Sequence, residues 1–318
     1  MSSTVGSVIG SPTLPACSVA RMRRRPSTVE VMLLTTIVLW SLNLTVSRYI
    51  LTHGFQPLAY ATVRYGLAVV VFIALTLLLE RSLRVGRRDL GLVAGGALLV
   101  YLNQIGFVYA LERSSASVLG LILGATPIFA ALAGVALRTE TLPPRFWAGA
   151  VLSFVGVALV ALGSGSQVSG DAGGVLLGLL TAATWAGYSM VVTPLMSRYS
   201  ARRISAVVLG TAWVGIALTS VPQVRSQDWS LGWEVWALLA FATLGPLVLT
   251  NELWFRSLDR IGPARATLAA NLQPFLAAAL AVVLLSETLA PIEIAGGILI
   301  GAGILVARRR RVSAPPSE

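Results

Sequence analysis

The feature that most constrains this chain is an apolar, helix-length segment that occurs twice. Residues 127–142 read PIFAALAGVALRTETL and residues 274–289 read PFLAAALAVVLLSETL, so the copies lie 147 residues apart and agree at eight of sixteen positions. Each copy begins with a proline and places a glutamate thirteen residues later, at Glu140 and at Glu287. We therefore expect the chain to consist of two related halves.

The residues that flank the two copies repeat as well. Four pairs recur at offsets of 145 or 147 residues: Thr36 and Thr181, Trp40 and Trp185, Gly149 and Gly296, and Gly156 and Gly303. A match that extends over so much of the chain argues against a coincidence of apolar composition. The period of the repeat is therefore about half of the chain.

Apolar windows of about 20 residues, long enough to cross a hydrocarbon core about 30 Å thick, follow one another along the sequence. The chain is 56% hydrophobic and 12% charged, whereas about 25% of a soluble domain is charged. We therefore predict an all-α polytopic membrane protein. Its ten predicted transmembrane helices lie at about 31–51, 58–79, 90–110, 115–137, 146–163, 173–193, 203–222, 234–256, 264–285 and 291–307.

The basic residues predict the orientation of these helices. All twenty-four are arginines, and the net charge is +11. They stand in short gaps between apolar runs, which is typical of membrane topology and not of a nucleic-acid surface. With the N-terminus in the cytoplasm, twenty of them lie on the cytoplasmic side. We predict cytoplasmic termini, a plasma (inner) membrane location within the lipid bilayer, and no nucleic-acid partner.

Five helices in each half is an odd number, so the second half enters the membrane in the opposite sense. We expect two inverted five-helix repeats, at 30–165 and 170–308, between a disordered cytoplasmic tail at 1–29 and a cytoplasmic tail at 309–318. Inverted repeats are typical of secondary transporters, which bind substrate near the midplane and alternate access between the two sides.

The leading tail says little about the fold. It contains Cys17, the one cysteine of the sequence, so no disulfide can form within the chain. Met22 is a second candidate for the true start, besides Met1, and mass spectrometry of the native N-terminus distinguishes the two.

Several motifs together carry a family resemblance. Trp40-Ser-Leu-Asn43, Trp185-Ala-Gly-Tyr188 at the matching place, and the two Pro…Glu-Thr-Leu segments are similar to those of the EamA-type family of the drug/metabolite transporter superfamily. The resemblance covers about residues 30–307. It implies a cofactor-free carrier, commonly an exporter of amino acids, other metabolites or toxic compounds, with a central cavity between the halves. The family often has glycine where this chain has the serine after Trp40.

A polar and aromatic stripe runs along the first predicted helix. Its members share one helical face: Thr36, Trp40, Asn43 and Ser47. The sixth helix carries the matching residues Thr181, Trp185 and Tyr188. Polar groups in hydrocarbon are costly unless they find partners or face water, so the stripes indicate a cavity wall for a small-molecule substrate; helix-to-helix hydrogen bonding is the alternative. The other substrate-binding candidates are Tyr101, Gln104, Asn251, Asn271 and Gln273.

Glu252 is the only carboxylate well inside a predicted helix, and Arg64 lies about two turns below the external end of the second helix. A charge at mid-helix costs about 2.5 to 3.5 kcal/mol on insertion scales, so each needs a reason. Glu252 is a candidate for proton coupling or for binding a substrate amine, and an i,i+4 ion pair with Arg256 is the alternative. Arg64 either extends outward to the membrane surface or binds a substrate carboxylate.

The repeated segments suggest hinges and caps. Pro127 and Pro274 each remove a helical hydrogen bond and free a carbonyl one turn back, so each is a hinge candidate, with a static kink as the alternative. Glu140 and Glu287 are expected to be structural, because each precedes the positive end of the next helix dipole. The glycine pairs with GxxxG spacing, which predict close helix approach, are Gly91/Gly95, Gly174/Gly178 and Gly297/Gly301.

An enzyme is not expected. The one histidine, His53, lies in a predicted external loop, and the sequence has neither paired catalytic residues nor metal-ligand spacing. We predict a secondary transporter, an exporter of a small amphipathic metabolite or toxic solute. A helper or sensor subunit, or an importer or facilitator of the same fold, is the alternative. The sequence leaves the substrate, the direction, the coupling ion and the oligomeric state open.

Overall fold

The computed structural model describes residues 28–136, 144–164, 172–261, 270 and 272–307. Every regular element in these ranges is helical. We label the α-helices in chain order: α1 Thr28–Thr52, α2 Pro57–Glu80, α3 Leu90–Arg113, α4 Ala116–Leu123, α5 Thr126–Ala136, α6 Pro144–Ser164, α7 Ala172–Met196, α8 Ala201–Ser226, α9 Trp233–Thr243, α10 Thr250–Ile261, α11 Gln273–Leu285 and α12 Pro291–Ala307. A 3-10 turn, Arg87–Asp89, precedes α3, and a π-helical turn, Leu244–Leu249, joins α9 to α10.

The spans are present largely where the apolar windows place them. Within the described ranges, eight helical segments are long and apolar enough to cross a membrane. They match the first eight predicted spans. Helices α11 and α12 are apolar but shorter, and the start of the ninth predicted span lies outside the described residues.

The fourth span is not the single helix that the apolar window predicts. It breaks between α4 and α5 at Gly124 and Ala125, where the chain makes a turn. Pro127 stands in the first turn of α5, and the carbonyl of Leu123 accepts a hydrogen bond of 2.6 Å from the Thr126 hydroxyl. The freed carbonyl is therefore occupied by a neighbour in the chain. Pro274 likewise lies in the first turn of α11.

The eighth span also departs from a regular helix, through its π-helical turn. Pro246 lies in this turn. Proline has no N–H to donate to the carbonyl four residues earlier, which belongs to Ala242. The π-turn is thus the local adjustment by which the span continues past proline, and it leaves the Ala242 carbonyl open to another donor.

Helices of the two halves are interleaved. Helix α1 contacts α3, α4, α9, α10 and α11, so it lies at the centre of the bundle. Helix α3 packs along α7, α2 along α8, and α6 along α12. A large apolar core surrounds α1 and α2, with Phe55, Tyr60 and Phe72 among its fully buried side chains.

The glycine pairs behave differently from one another. Methyl groups on Gly297 and Gly301 would lie 2.9 and 2.8 Å from the side chains of Leu121 and Phe275, and Gly178 is similarly confined. Gly91 has nothing within 4 Å of such a methyl group. The prediction of close approach is therefore wrong at Gly91, because GxxxG spacing alone does not say which helix face meets a neighbour.

Candidate functional site

An aromatic cluster occupies the middle of the bundle. Trp40 is the central residue of α1, and its ring contacts Trp185 of α7 edge-on, with centroids 6.3 Å apart. Trp254 of α10 lies 5.1 Å from Trp40, and Tyr188 lies 5.5 Å from Trp185. Trp185 retains 39% exposure, whereas Tyr188 is buried. Three predicted site residues and one that the sequence analysis missed therefore form one apolar surface.

The polar edge of the Trp40 ring is held by a hydrogen bond to the second half of the chain. Its indole Nε1 donates to the Thr250 hydroxyl at 2.9 Å, just after the π-turn. The adjacent Ser41 donates to the backbone carbonyl of Gln273 at 3.1 Å. Ser41 thus binds α1 to the start of α11. Gln273 contributes its main chain to this contact.

A second cluster surrounds Arg64 of α2. Arg64 is 4% exposed as a residue, so the alternative in which it extends outward to the membrane surface is wrong. Nη2 donates to Asn43 Oδ1 at 2.9 Å, and Nε donates to the Ala242 carbonyl at 3.3 Å. The guanidinium also lies 5.8 Å from the centre of the Tyr60 ring. Arg64 points inward because polar acceptors on α1 and α9 are nearer than the membrane surface.

The amides on α3 face α7. Asn103 donates from Nδ2 to the Thr181 carbonyl at 2.9 Å, and it accepts from Gln104 Nε2 at 3.0 Å. The Oε1 atom of Gln104 is buried and has no hydrogen-bond partner among the described residues. Tyr101 lies elsewhere, against Gly215 of α8. Gln104 is therefore the α3 candidate with unused hydrogen-bonding capacity.

The remaining amide candidates are less informative. Asn251 donates to the Leu247 carbonyl of its own span at 2.9 Å. Such a bond stabilises the irregular backbone beside the π-turn. Asn271 and Glu140 lie outside the described residues.

Glu252 belongs to an ion-pair network. Its Oε1 atom accepts from Arg256 at 2.6 Å and from Arg202 at 3.1 Å. The i,i+4 pair that the sequence offered as the structural alternative is therefore present, and a second arginine joins it. Arg202 also lies 3.6 Å from Glu80 of α2, so the network links three helices at one end of the bundle.

Glu287 caps a helix, although not the next one. Its carboxylate accepts from the backbone N–H groups of Ala116 and Ser117, each at 2.9 Å, and from the Ser117 hydroxyl at 2.6 Å. These groups open α4 in the first half of the chain, whereas the sequence analysis expected the following helix α12. A carboxylate at a helix N-terminus satisfies free N–H groups and the helix dipole, and sequence spacing cannot say which N-terminus it reaches.

The chain matches the model of the EamA-like transporter family over residues 27–162 and 172–309. The chain belongs to this family. The resemblance carried by the Trp40 and Trp185 motifs is thereby confirmed, and with eight full-length spans this EamA-like protein is a multi-pass membrane protein of a transporter family.

Relatives of this EamA-like chain include several bacterial and archaeal proteins. It is 24% identical over 283 residues to a "probable amino-acid metabolite efflux pump" of Salmonella typhimurium, covering 86% of this chain and 92% of the relative. It is 26% identical over 269 residues to the "uncharacterized inner membrane transporter YedA" of Escherichia coli K12, covering 80% and 82%. A solved crystal structure at 23% identity superimposes with a TM-score of 0.63, covering 91% of this chain and all of the other, so the two share a fold.

Some residues of this EamA-like site carried signals that the sequence analysis did not use. Pro246 inside a predicted span indicates a free carbonyl at Ala242. Trp254 lies one turn after Thr250, on the same face of α10. Tyr60 and Arg64 are likewise one turn apart, which places ring and guanidinium together.

Proposed function

We propose that this chain is a secondary transporter that exports a small amphipathic metabolite, such as an amino acid or a related compound, or a toxic organic solute, by alternating access. The observation that carries the proposal is the contact between Trp40 and Trp185 at the centre of the bundle. The rings lie at mid-span, and Asn43, one helical turn along α1 from Trp40, binds the buried guanidinium of Arg64. This arrangement suits a solute with an apolar body and a polar end. The Salmonella relative named as a probable efflux pump supports export.

The proposed architecture is ten spans in two inverted five-helix repeats. The contacts between α6 and α12 support it, because Gly149 approaches Gly303 and Gly156 approaches Gly296. An offset of 147 residues converts the first contact into the second. Such an exchange is expected of two segments related by a two-fold axis. Trp40 and Trp185, which are counterparts, contact each other, as residues beside that axis would.

The proposed location is the bacterial inner membrane, with both termini in the cytoplasm. The arginine distribution supports the orientation, and the Escherichia coli relative named as an inner membrane transporter supports the location. In this orientation α2 ends and α8 begins at the cytoplasmic face, so the network of Glu80, Arg202 and Glu252 lies there.

Proton coupling through Glu252 is a separate hypothesis. The carboxylate already has two arginine partners, so a purely structural network is the competing explanation. If Glu252→Gln leaves the transport rate and its pH dependence unchanged, the coupling role is excluded.

The test of the proposed function is counterflow in proteoliposomes. Purified protein is reconstituted with unlabelled amino acids, nucleobases or organic cations inside, and uptake of the labelled form is measured. We expect exchange of one chemical class and its loss in Trp40→Ala, since Trp40 forms the centre of the aromatic surface. Trp147→Ala is the matched control, because Trp147 of α6 is 50% exposed and outside the cluster.

The panel also separates the alternatives. Exchange that survives Trp40→Ala in folded protein would contradict a central site. If folded wild-type protein exchanges none of the solutes tested, the helper or sensor subunit is favoured. Net movement of the solute down its own gradient, with no ion gradient present and no response to an imposed one, would favour a facilitator.

A further inference from the structure

Arg64 is a cation enclosed within apolar helices. It lies seven residues into α2, and its partner Asn43 lies nine residues before the end of α1, which places the pair about 10 to 14 Å from those helix ends. Because only 4% of the surface of Arg64 is exposed, the residue is largely removed from bulk water. A charge at this depth is costly unless an opposite charge accompanies it.

The groups that contact Arg64 within the described part of the chain are neutral. Its hydrogen bonds go to an amide oxygen and a backbone carbonyl, and its third contact is an aromatic ring. None of the ion pairs among the described residues includes Arg64. A guanidinium has five N–H donors, and these two hydrogen bonds leave the others available. Its charge is therefore held in place without being cancelled by a carboxylate.

The neighbours hold the guanidinium in one position. Ala242 offers its carbonyl because Pro246 cannot bond to it. Tyr60 is fixed from behind by a hydrogen bond of 2.7 Å between its hydroxyl and Ser47. Helices α1, α2 and α9 thus each contribute one group that positions Arg64, which is the arrangement expected of a preorganised binding residue.

We propose that Arg64 binds the carboxylate of a small organic solute, so that the transported class is carboxylate-bearing. This inference rests on the proposed transport function and names the substrate class for the same site. The planar fork of a guanidinium matches a carboxylate in two parallel hydrogen bonds. Asn43 lies one helical turn from Trp40 on the same face of α1, so a carboxylate at Arg64 leaves the solute's body beside the tryptophans.

The test compares acids with their own amides in proteoliposomes. The probes are leucine and leucinamide, phenylalanine and phenylalaninamide, and benzoate and benzamide, each pair in counterflow. We expect wild-type protein to exchange an acid at least about tenfold faster than its amide, because a buried charged hydrogen-bond pair is lost with the amide. Arg64→Gln removes the preference for the acid, and Arg64→Lys retains part of it because the charge stays and the fork is lost.

Arg225→Gln is the matched control. Arg225 is an exposed arginine in the last turn of α8, and its removal changes the net charge equally without touching the site. Equal exchange of acid and amide by wild-type protein, or full exchange of the acid by Arg64→Gln, overturns the anion site while leaving the carrier in place.

A second readout does not require transport. Sodium benzoate is expected to raise the thermal unfolding temperature of purified wild-type protein, and sodium chloride at equal concentration is not. Arg64→Met is expected to unfold at the wild-type temperature or above and to lose the benzoate effect, because the uncancelled charge is gone. The opposite result is a lower unfolding temperature in Arg64→Met together with no benzoate effect in wild-type protein. It would mean that Arg64 only joins helices, and it would overturn the inference. This conclusion does not depend on whether any probe is exchanged in counterflow.

Discussion

Two of the helix pairs that join the halves of this EamA-like protein are held together by different chemistry. The α6–α12 pair is a backbone contact: a methyl group on Gly156 would lie 2.5 Å from the Gly296 carbonyl, and one on Gly303 would lie 2.5 Å from the Gly149 carbonyl. Ser153 adds a hydrogen bond of 3.1 Å to the Ile300 carbonyl. Changes of side-chain rotamer cannot relieve crowding at this contact, because the two helices contact each other through their main chains.

The α2–α8 pair is joined at its ends by side chains. At one end, which we call the Glu80 end, Glu80 accepts from Arg203 Nε at 3.1 Å and from Ser200. At the other, the Gln56 end, Gln227 accepts from the Gln56 N–H and Gln223 from the Leu58 N–H, both at 2.7 Å. One end is therefore ionic and the other is made of neutral amides.

The two helix pairs are therefore expected to have different roles. The α6–α12 pair is expected to form a rigid scaffold, and each end of the α2–α8 pair is expected to form a closure that can open. Contacts through backbone stay fixed while the fold persists, whereas side-chain bonds at helix ends can break and reform as the ends part. We expect the α6–α12 pair to stay together during transport and the two ends of the α2–α8 pair to open in turn. The ionic end should respond to salt and the amide end should not.

The largest effect is expected at the glycine contact. Gly156→Ala should destabilise the fold by about 3 kcal/mol or more, because overpacking against backbone cannot be relieved by a side-chain shift. The measurement is the yield of monodisperse protein and its unfolding temperature in detergent. Gly91→Ala is the matched control, and it should be neutral or stabilising, since nothing lies within 4 Å of the new methyl group. Equal behaviour of the two variants would remove the distinction between scaffold and closure.

The next effect is expected at the Glu80 end. Glu80→Arg should lower stability by about 2 kcal/mol, between the values for exposed and buried ion pairs, and lower transport. The charge exchange Glu80→Arg with Arg203→Glu should restore part of both. Unfolding and counterflow of the single and double variants, in low and high salt, measure the coupling. A double variant no better than Glu80→Arg would contradict a direct closure between these two residues.

A smaller effect is expected where a carboxylate caps a helix. Glu287→Gln should cost about 1 kcal/mol, since the amide still accepts hydrogen bonds but loses its charge at the α4 N-terminus. Unfolding temperature measures this loss, and transport should be nearly unchanged, because the α4 cap is structural. Ser117→Ala tests the same cap from its other partner. A large loss of transport in folded Glu287→Gln would place this residue among the moving parts.

The smallest effect is expected at the Gln56 end. Gln227→Ala removes the acceptor for the Gln56 N–H and should cost about 0.5 kcal/mol, at the low end for a neutral hydrogen bond. Unlike the change at Glu80, its cost should not depend on salt, because no formal charge is involved. Unfolding in 50 mM and 500 mM sodium chloride makes the comparison, and a salt-dependent loss at Gln227 would break the contrast between the ends.

The elements that a sequence predicts best are those decided by nearby residues. Apolar length predicts ten spans, and the described residues contain full-length helices at the first eight of them. The duplicated motif places Trp40 and Trp185 at matching depths, where the structure brings them into contact. The hydrogen-bond partners of Arg64, which are Asn43 and Ala242, and the groups that Glu287 caps depend on how helices distant in sequence are arranged. Sequence spacing alone therefore could not identify them. The break at Gly124 is a local feature that the sequence nevertheless did not predict. The segment is apolar throughout, so its composition does not indicate a turn, and the Leu123 carbonyl accepts its hydrogen bond from the nearby Thr126.

Alternating access to the centre of the bundle is the central claim, and one measurement tests it most directly. Cys17→Ser provides a background without thiols, and Tyr188→Cys places a thiol in the buried aromatic cluster. Membrane-impermeant maleimide is then applied to right-side-out and inside-out vesicles. Ile300→Cys, at a side chain 1% exposed in the α6–α12 contact, is the control that should never react. We predict labelling of Tyr188→Cys from both sides; labelling from one side alone, or from neither in folded protein, would contradict alternating access.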